Sequence, residues 1–265
     1  IPAVTNTLSN ATYCNGVAVT AIPLTSDVTG AVLSWTNNTT SIGLAASGTG
    51  TIPAFTATNT TNAPVTATIT VTPTYTNNGV TCTGTAVTYT ITVNPTPTVN
   101  AITSQSLCAG VNTTAVTFAS TFNVSGTTYN WTNSNTSIGL AASGTGNIPA
   151  FTATNTTNAN INGTITVTPT ANGCNGTAQT FTITVRTVPN VVVPGDQTYA
   201  TGATVPTQTF TGNVAGTVYN WTNTNTAIGI PAQGTGNIAS FTATNNTSSP
   251  ISGTITVTPS INSCT

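Results

Sequence analysis

At 265 residues the chain has room for one or two average domains, yet it carries only three charged side chains, Asp27, Arg186 and Asp196, and no Glu, Lys, His or Met. A single Arg excludes a basic patch for nucleic acid or anionic lipid, and two Asp exclude an acidic sink, so partners held by Coulomb attraction are not expected. Without His or Glu the usual general bases are missing, two Asp in different repeats cannot form a carboxylate pair, and Ser/His/Asp or Cys/His arrangements cannot be built. The chain therefore reads as non-catalytic, with no cofactor.

Low charge with abundant Thr, Asn, Ser and Gly could mark a disordered segment, but disorder goes with low hydrophobicity and high net charge. Here 37% of residues are hydrophobic and they alternate, so the chain is expected to fold. No apolar run approaches the roughly 20 residues that span a bilayer, so no membrane insertion is expected. No signal peptide opens the chain, which reads as a mature or excised piece of something longer.

One stretch, YNWTN followed by SIGLAASGTG, PAFTATN and TITVTP between Tyr129 and Pro169, occurs three times with small variations. The copies centre on Trp35, Trp131 and Trp221, giving periods of 96 and 90 residues. An internal repeat of this size overrides the length prior and gives three units, each long enough for its own core. The expected boundaries are 1–94, 95–186 and 187–265. They are marked by the Pro-bearing segments VNPTPTVN at 93–100 and VRTVPNVVV at 185–193. Proline fixes φ and pushes its predecessor to extended geometry, so the joints should be short and stiff and the array rod-like.

Within a repeat the period is two. Val87, Tyr89, Ile91 and Val93 alternate with threonines, as do Phe181, Ile183 and Val185, and the same holds at Ile69 and Val71, Ile165 and Val167, and Ile255 and Val257. This is the apolar-in, polar-out pattern of half-buried antiparallel strands. No window shows helical periodicity. Asn-Gly at 78–79, 162–163, 172–173 and 175–176 and Gly-Thr-Gly at 48–50, 144–146 and 234–236 are read as turns between strands. About seven short strands per repeat predict an all-β fold, a tandem array of Ig-like Greek-key sandwiches, with a closed barrel as the alternative. One mid-strand Trp per sandwich, at 35, 131 and 221, is expected in the core rather than as a ligand platform.

Cys14 and Cys82 in the first repeat, and Cys108 and Cys174 in the second, stand at equivalent positions with nearly the same spacing. An intradomain disulfide is expected in each of the first two repeats, implying an oxidising compartment. In the third repeat Cys264 matches Cys174, but Ala200 takes the place of Cys108, so Cys264 is expected to be unpaired. No CxxC or His accompanies these cysteines, so no metal site is expected, and two isolated acids cannot form a calcium loop. The absence of Lys also excludes Lys–Asn isopeptide links. The SGTG segments lack a following helix and a Lys, so they are turns rather than phosphate loops. Asn-x-Thr triplets such as Asn59-Thr60-Thr61 and Asn155-Thr156-Thr157 could accept glycans, and rows of outward Thr could form an ice- or glycan-binding face.

The third copy ends at Thr265, before the segment corresponding to NGTAQTFTITV of the second. A sandwich without that strand exposes an apolar groove and an open edge. Either the chain continues, or a strand donated by a neighbouring molecule fills the gap.

Taken in order, Cys108-Ala109-Gly110, YNWTN, SIGLAASGTG, FTATN, TITVTP, GC-NGT and TFTITV followed by a Pro-rich joint resemble the PKD-like, immunoglobulin-like repeats of very long Bacteroidota surface proteins, including gliding-type adhesins exported by the type IX secretion system. The resemblance covers the whole chain. It implies a β-sandwich stalk or fibre at the extracellular cell surface, and it carries no catalytic residues. The partners expected are neighbouring repeats of the same or identical chains, with surface glycans as a further candidate. Alternatives are a filament subunit assembled by strand donation and a carbohydrate- or ice-binding module.

Overall fold

A computed structural model describes residues 1–265. The first repeat contributes β1 (Ala11–Cys14), β2 (Ala18–Val19), β3 (Val32–Asn37), β4 (Ser47–Thr49), β5 (Phe55–Thr56), β6 (Val65–Asn77), β7 (Val80–Thr83) and β8 (Val87–Asn94). The second contributes β9 (Gln105–Cys108), β10 (Thr128–Asn133), β11 (Ser143–Thr145), β12 (Ile161–Ala171), β13 (Cys174–Asn175) and β14 (Gln179–Arg186). The third contributes β15 (Thr204–Val205), β16 (Val218–Asn223), β17 (Gln233–Thr235), β18 (Phe241–Thr242) and β19 (Ile255–Ser260). The protein is all-β, a tandem array of three Ig-like sandwiches joined by short Pro-containing segments.

Each complete sandwich has one large sheet. In the first repeat its order is β1-β8-β6-β3-β4, with β7 folded back on β6; in the second it is β9-β14-β12-β10-β11, with β13 folded back on β12. The opposing layer is slighter: β2 pairs with β5, and single bridges such as Ile22 to Ile52 and Val116 to Ile148 complete it. The pairings are antiparallel except at one edge. There β1 runs parallel to β8, and β9 parallel to β14, so the chain enters and leaves each large sheet in the same direction.

The alternating pattern explains what lies between the layers. Ile69, Val71, Ile91 and Val93 are fully buried, as are Ile165, Val167 and Val185, while the threonines between them face out. The first two repeats each hold a core of 13 buried residues; the third holds 4. The third repeat has no strand in the place of β8 and β14. Ile255 and Val257, equivalents of the fully buried Ile69 and Val71, are therefore only partly buried. Residues 197–200, at the place of β1 and β9, form no strand, and Tyr199 is 40% exposed.

Two of the four Asn-Gly steps are hairpin turns. Asn78-Gly79 and Asn172-Gly173 have positive φ at both residues, and the third repeat uses Asn262-Ser263 in the same way. The other two differ from expectation. Asn162-Gly163 lies inside β12, where a Cβ on Gly163 would overlap Ile138 Cδ1, so this glycine serves close packing. Gly176 lies beneath the Pro-bearing segment, where a Cβ would run into the Pro97 carbonyl oxygen, and Gly84 meets the Pro2 carbonyl oxygen in the same way.

Candidate functional site: the junctions between repeats

The Trp, the facing Gly and the last Asn of the recurring motifs pack within each repeat. Each Trp is buried, Trp35 at 3%, Trp131 at 7% and Trp221 at 6% exposure, and each faces a glycine on the neighbouring strand: Gly48, Gly144 and Gly234. A Cβ on any of those glycines would overlap the indole ring, so the YNWTN and SGTG segments are one packing unit. The last residue of each NWTN, or of SWTN in the first repeat, is a buried and satisfied Asn. Asn37, Asn133 and Asn223 donate to the Leu44, Leu140 and Ile230 carbonyls at 2.9 to 3.0 Å and accept from the backbone two residues on. The Asn-x-Thr triplets at 59–61 and 155–157 are likewise tied internally. Asn59 Nδ2 donates to Ala63 O at 2.8 Å and to Val93 O at 2.7 Å, tying the loop to β8, and Asn155 ties to β14 by the same bond to Val185 O. In these conformations the amide nitrogen a glycan would take is already engaged.

No group of three or more His, Cys, Asp or Glu comes together, and no helix is long and apolar enough to cross a membrane. A surface depression along segments 100–105 and 114–119 is lined by no titratable side chain. Asp27 sits at the entry to the first repeat, where the Ala3 N–H donates to it at 2.7 Å and holds its carboxyl below the usual carboxylate range.

The unusual covalent chemistry lies between the repeats. Cys14 is bonded to Cys174 and Cys108 to Cys264, each pair with Cα atoms 5.6 Å apart, and Cys82 is free and exposed. The intradomain pairs expected from spacing, Cys14 with Cys82 and Cys108 with Cys174, are therefore corrected, as is the expectation that Cys264 is unpaired. The strand register gives the reason. Cys14 lies opposite Asn94 at the end of β8, whereas Cys82 lies opposite Tyr75 at the far end of β6. Because β6 and β8 are antiparallel, with Val71 opposite Val87, about eleven residues of strand separate the two cysteines along the sheet, roughly 35 Å. A disulfide tolerates about 7 Å between Cα atoms. The end of each repeat that carries the first cysteine is instead the end from which the chain passes into the next repeat, and there it meets that repeat's hairpin.

Polar contacts accompany each bond. At the first junction Asn94 Nδ2 donates to Asn172 O at 2.9 Å; at the second Arg186, the chain's only cation, donates through Nη1 to Asn262 O. Asn213 Nδ2 also reaches Asn158 Oδ1 at 2.9 Å, and Thr187 in the connecting segment is buried, its hydroxyl donating to Thr157 O at 2.9 Å. Sequence spacing missed the cross-junction pairing because equivalent cysteines recur in every repeat, so partners within a repeat and between neighbours look alike. The available signal was Ala200. A cysteine absent from the third repeat, with its apparent mate Cys264 retained, already fits pairing between repeats better than within one.

Among known proteins, the PKD-like domain family matches residues 11–97, the greater part of the first repeat, and the other two repeats carry the same motifs. No protein of curated function matches the chain. Among solved structures, the chain is similar to mouse cadherin-23 repeats EC22–24 at 11% identity, covering 97% of this chain and 92% of that one with a TM-score of 0.43. It is similar to a crystal structure of Dpr2 Ig1-Ig2 in complex with DIP-Theta Ig1-Ig3 at 10% identity, covering 97% and 98%, TM-score 0.37. It is also similar to the eight N-terminal Ig domains of Down Syndrome Cell Adhesion Molecule at 12% identity, covering 98% and 41%, TM-score 0.37.

Proposed function

We propose that this chain is a non-catalytic, structural repeat segment of an extracellular adhesin stalk or surface fibre, with functional units at 1–94, 95–186 and 187–265. The observation that carries the reading is the pair of disulfides between neighbouring repeats. A bond inside a domain stabilises that domain; a bond across a joint fixes the relation between two domains, which matters to a protein whose task is to hold position. Disulfides persist outside the reducing cytosol, which supports an extracellular location, and the near absence of charge leaves the surface without the means to attract ionic ligands. The repeats are each other's partners in this reading. Secretion by the type IX route rests on the resemblance of the motifs and is part of the same proposal. Immunogold labelling of intact source cells tests it: label on the cell exterior, displaced from the membrane, is expected, and label confined to the cytoplasm contradicts it.

In a second reading the edge of β19 pairs with a strand from another molecule. A strand with the alternation of β14, supplied by a neighbouring molecule, suits that edge, and the array then becomes a filament subunit assembled by strand addition. Light scattering over a concentration series separates the two: growth into oligomers supports donation, and a monomer at every concentration removes it. A glycan-binding role built on stacking against the repeated Trp35, Trp131 and Trp221 finds no support in the packing, because these three rings are buried.

A further inference from the structure

The hairpin cysteine of the first repeat occupies the same place in the fold as the two that are bonded. Cys82 lies opposite Tyr75 as Cys174 lies opposite Ala171 and Cys264 opposite Ile261. The glycine two residues on, Gly84, packs under the Pro2 carbonyl as Gly176 packs under that of Pro97. In the second and third repeats this cysteine is buried to 1% exposure and bonded to the cysteine that ends the first strand of the repeat before it; in the first repeat it is an exposed thiol. Two bonded equivalents within one chain define what the position does when it is occupied.

We infer that the β6–β7 hairpin end is a docking and disulfide site for a further domain of this same kind, one whose first strand ends in a Cys-x-Gly step. That step is the donor at both internal junctions, Cys14-Asn15-Gly16 and Cys108-Ala109-Gly110, and in each the glycine takes the positive φ that turns the chain away after the cysteine. A second copy of this chain has no thiol to offer in that geometry. Cys14 and Cys108 are consumed by the internal junctions, and the third repeat carries Ala200-Thr201-Gly202 at the corresponding place. The partner is therefore a domain outside these three repeats.

The site differs from its siblings in reach. Between Tyr75 and Cys82 there are six residues, where Ala171 and Cys174 enclose two, so each arm is longer by two residues and the turn extends about 7 Å further. Val80, 66% exposed on that extension, and the carbonyls of the Asn78-Gly79 turn offer the incoming domain an apolar contact and acceptors. Asn94 and Arg186 use such acceptors at the internal junctions. Bond formation joins Sγ of Cys82 to Sγ of the partner cysteine. Two S–H bonds break, and their two protons and two electrons pass to a disulfide oxidant, whose own S–S bond breaks and which leaves as two thiols.

The test needs the protein from its source, isolated without reductant. Free thiols are alkylated in acidic denaturant, the material is digested with pepsin, and disulfide-linked peptides are sequenced by mass spectrometry. The expected result is Cys82 linked to a peptide that contains a Cys-x-Gly step and lies outside residues 1–265. Recovery of Cys82 as the alkylated free thiol overturns the inference, as does a Cys82–Cys82 bond between copies or a mixed disulfide with a small thiol.

Discussion

At the level of single residues, the recurring motifs are explained by what each side chain meets. The Trp and Gly pairing is the sharpest case. A Gly144→Ala substitution drives a methyl group into the Trp131 ring in a repeat with little room to adjust, and is expected to destabilise by about 1–3 kcal/mol in chemical denaturation. Tyr89 gives the opposite sign. It is 4% exposed, its hydroxyl has no protein partner, and it faces Ile69 where the second repeat has Phe181 facing Ile165. Tyr89→Phe removes an unsatisfied buried group and is expected to be neutral or stabilising by about 1 kcal/mol. The same residue gives a pH dependence. Burial pushes the Tyr89 hydroxyl up to about 12, with Tyr13 adding to the shift. An unfolded tyrosine ionises near 10, so between about pH 10 and 12 the unfolded chain releases a proton that the folded chain retains. The stability is fully present below pH 10 and falls as pH rises through that window. Denaturation midpoints measured from pH 9 to 12 should fall less steeply for Tyr89→Phe than for the wild type; equal slopes would remove Tyr89 as the cause. Burial of each Trp was legible from its place in an alternating strand. Its glycine partner was not, because SGTG reads locally as a turn and only the sheet register brings Gly144 against the ring.

At the level of elements, the alternating strands were legible because one buried face imposes a period of two, and the missing strand of the third repeat could be seen by comparing copies. The parallel edge could not. Local pattern says which residues form β9 and β14 but nothing about their relative direction. Asn162-Gly163 was misread for a related reason: the dipeptide favours a turn, but packing against Ile138 places it within β12. In a polypeptide of residues 1–265 alone, the third repeat should accordingly be the least stable. Amides of β19 are expected to exchange with deuterium roughly tenfold or more faster than those of β6 and β12, and extending the chain after Thr265 with the β14 sequence should restore their protection. Equal protection in all three repeats before extension would mean that the open edge does not weaken the sandwich.

At the level of the whole molecule, the two disulfides overlap. One closes residues 14 to 174 and the other 108 to 264, so each binds a repeat to its neighbour and the second repeat is held from both sides. Stretching a single oxidised molecule from its two ends tests this arrangement most directly. The shortest covalent path runs from position 14 across to 174, back along the chain to 108, and across to 264. About 80 residues of chain are then free to extend, and the fully extended length should be about 290 Å, rising to about 920 Å when reductant is added. Pairing inside the first two repeats would instead leave about 130 residues free and give about 470 Å before reduction. The shorter oxidised length, lengthening about threefold on reduction, is the predicted result. The longer oxidised length, or a length that reductant does not change, would contradict the claim that these repeats are locked to one another.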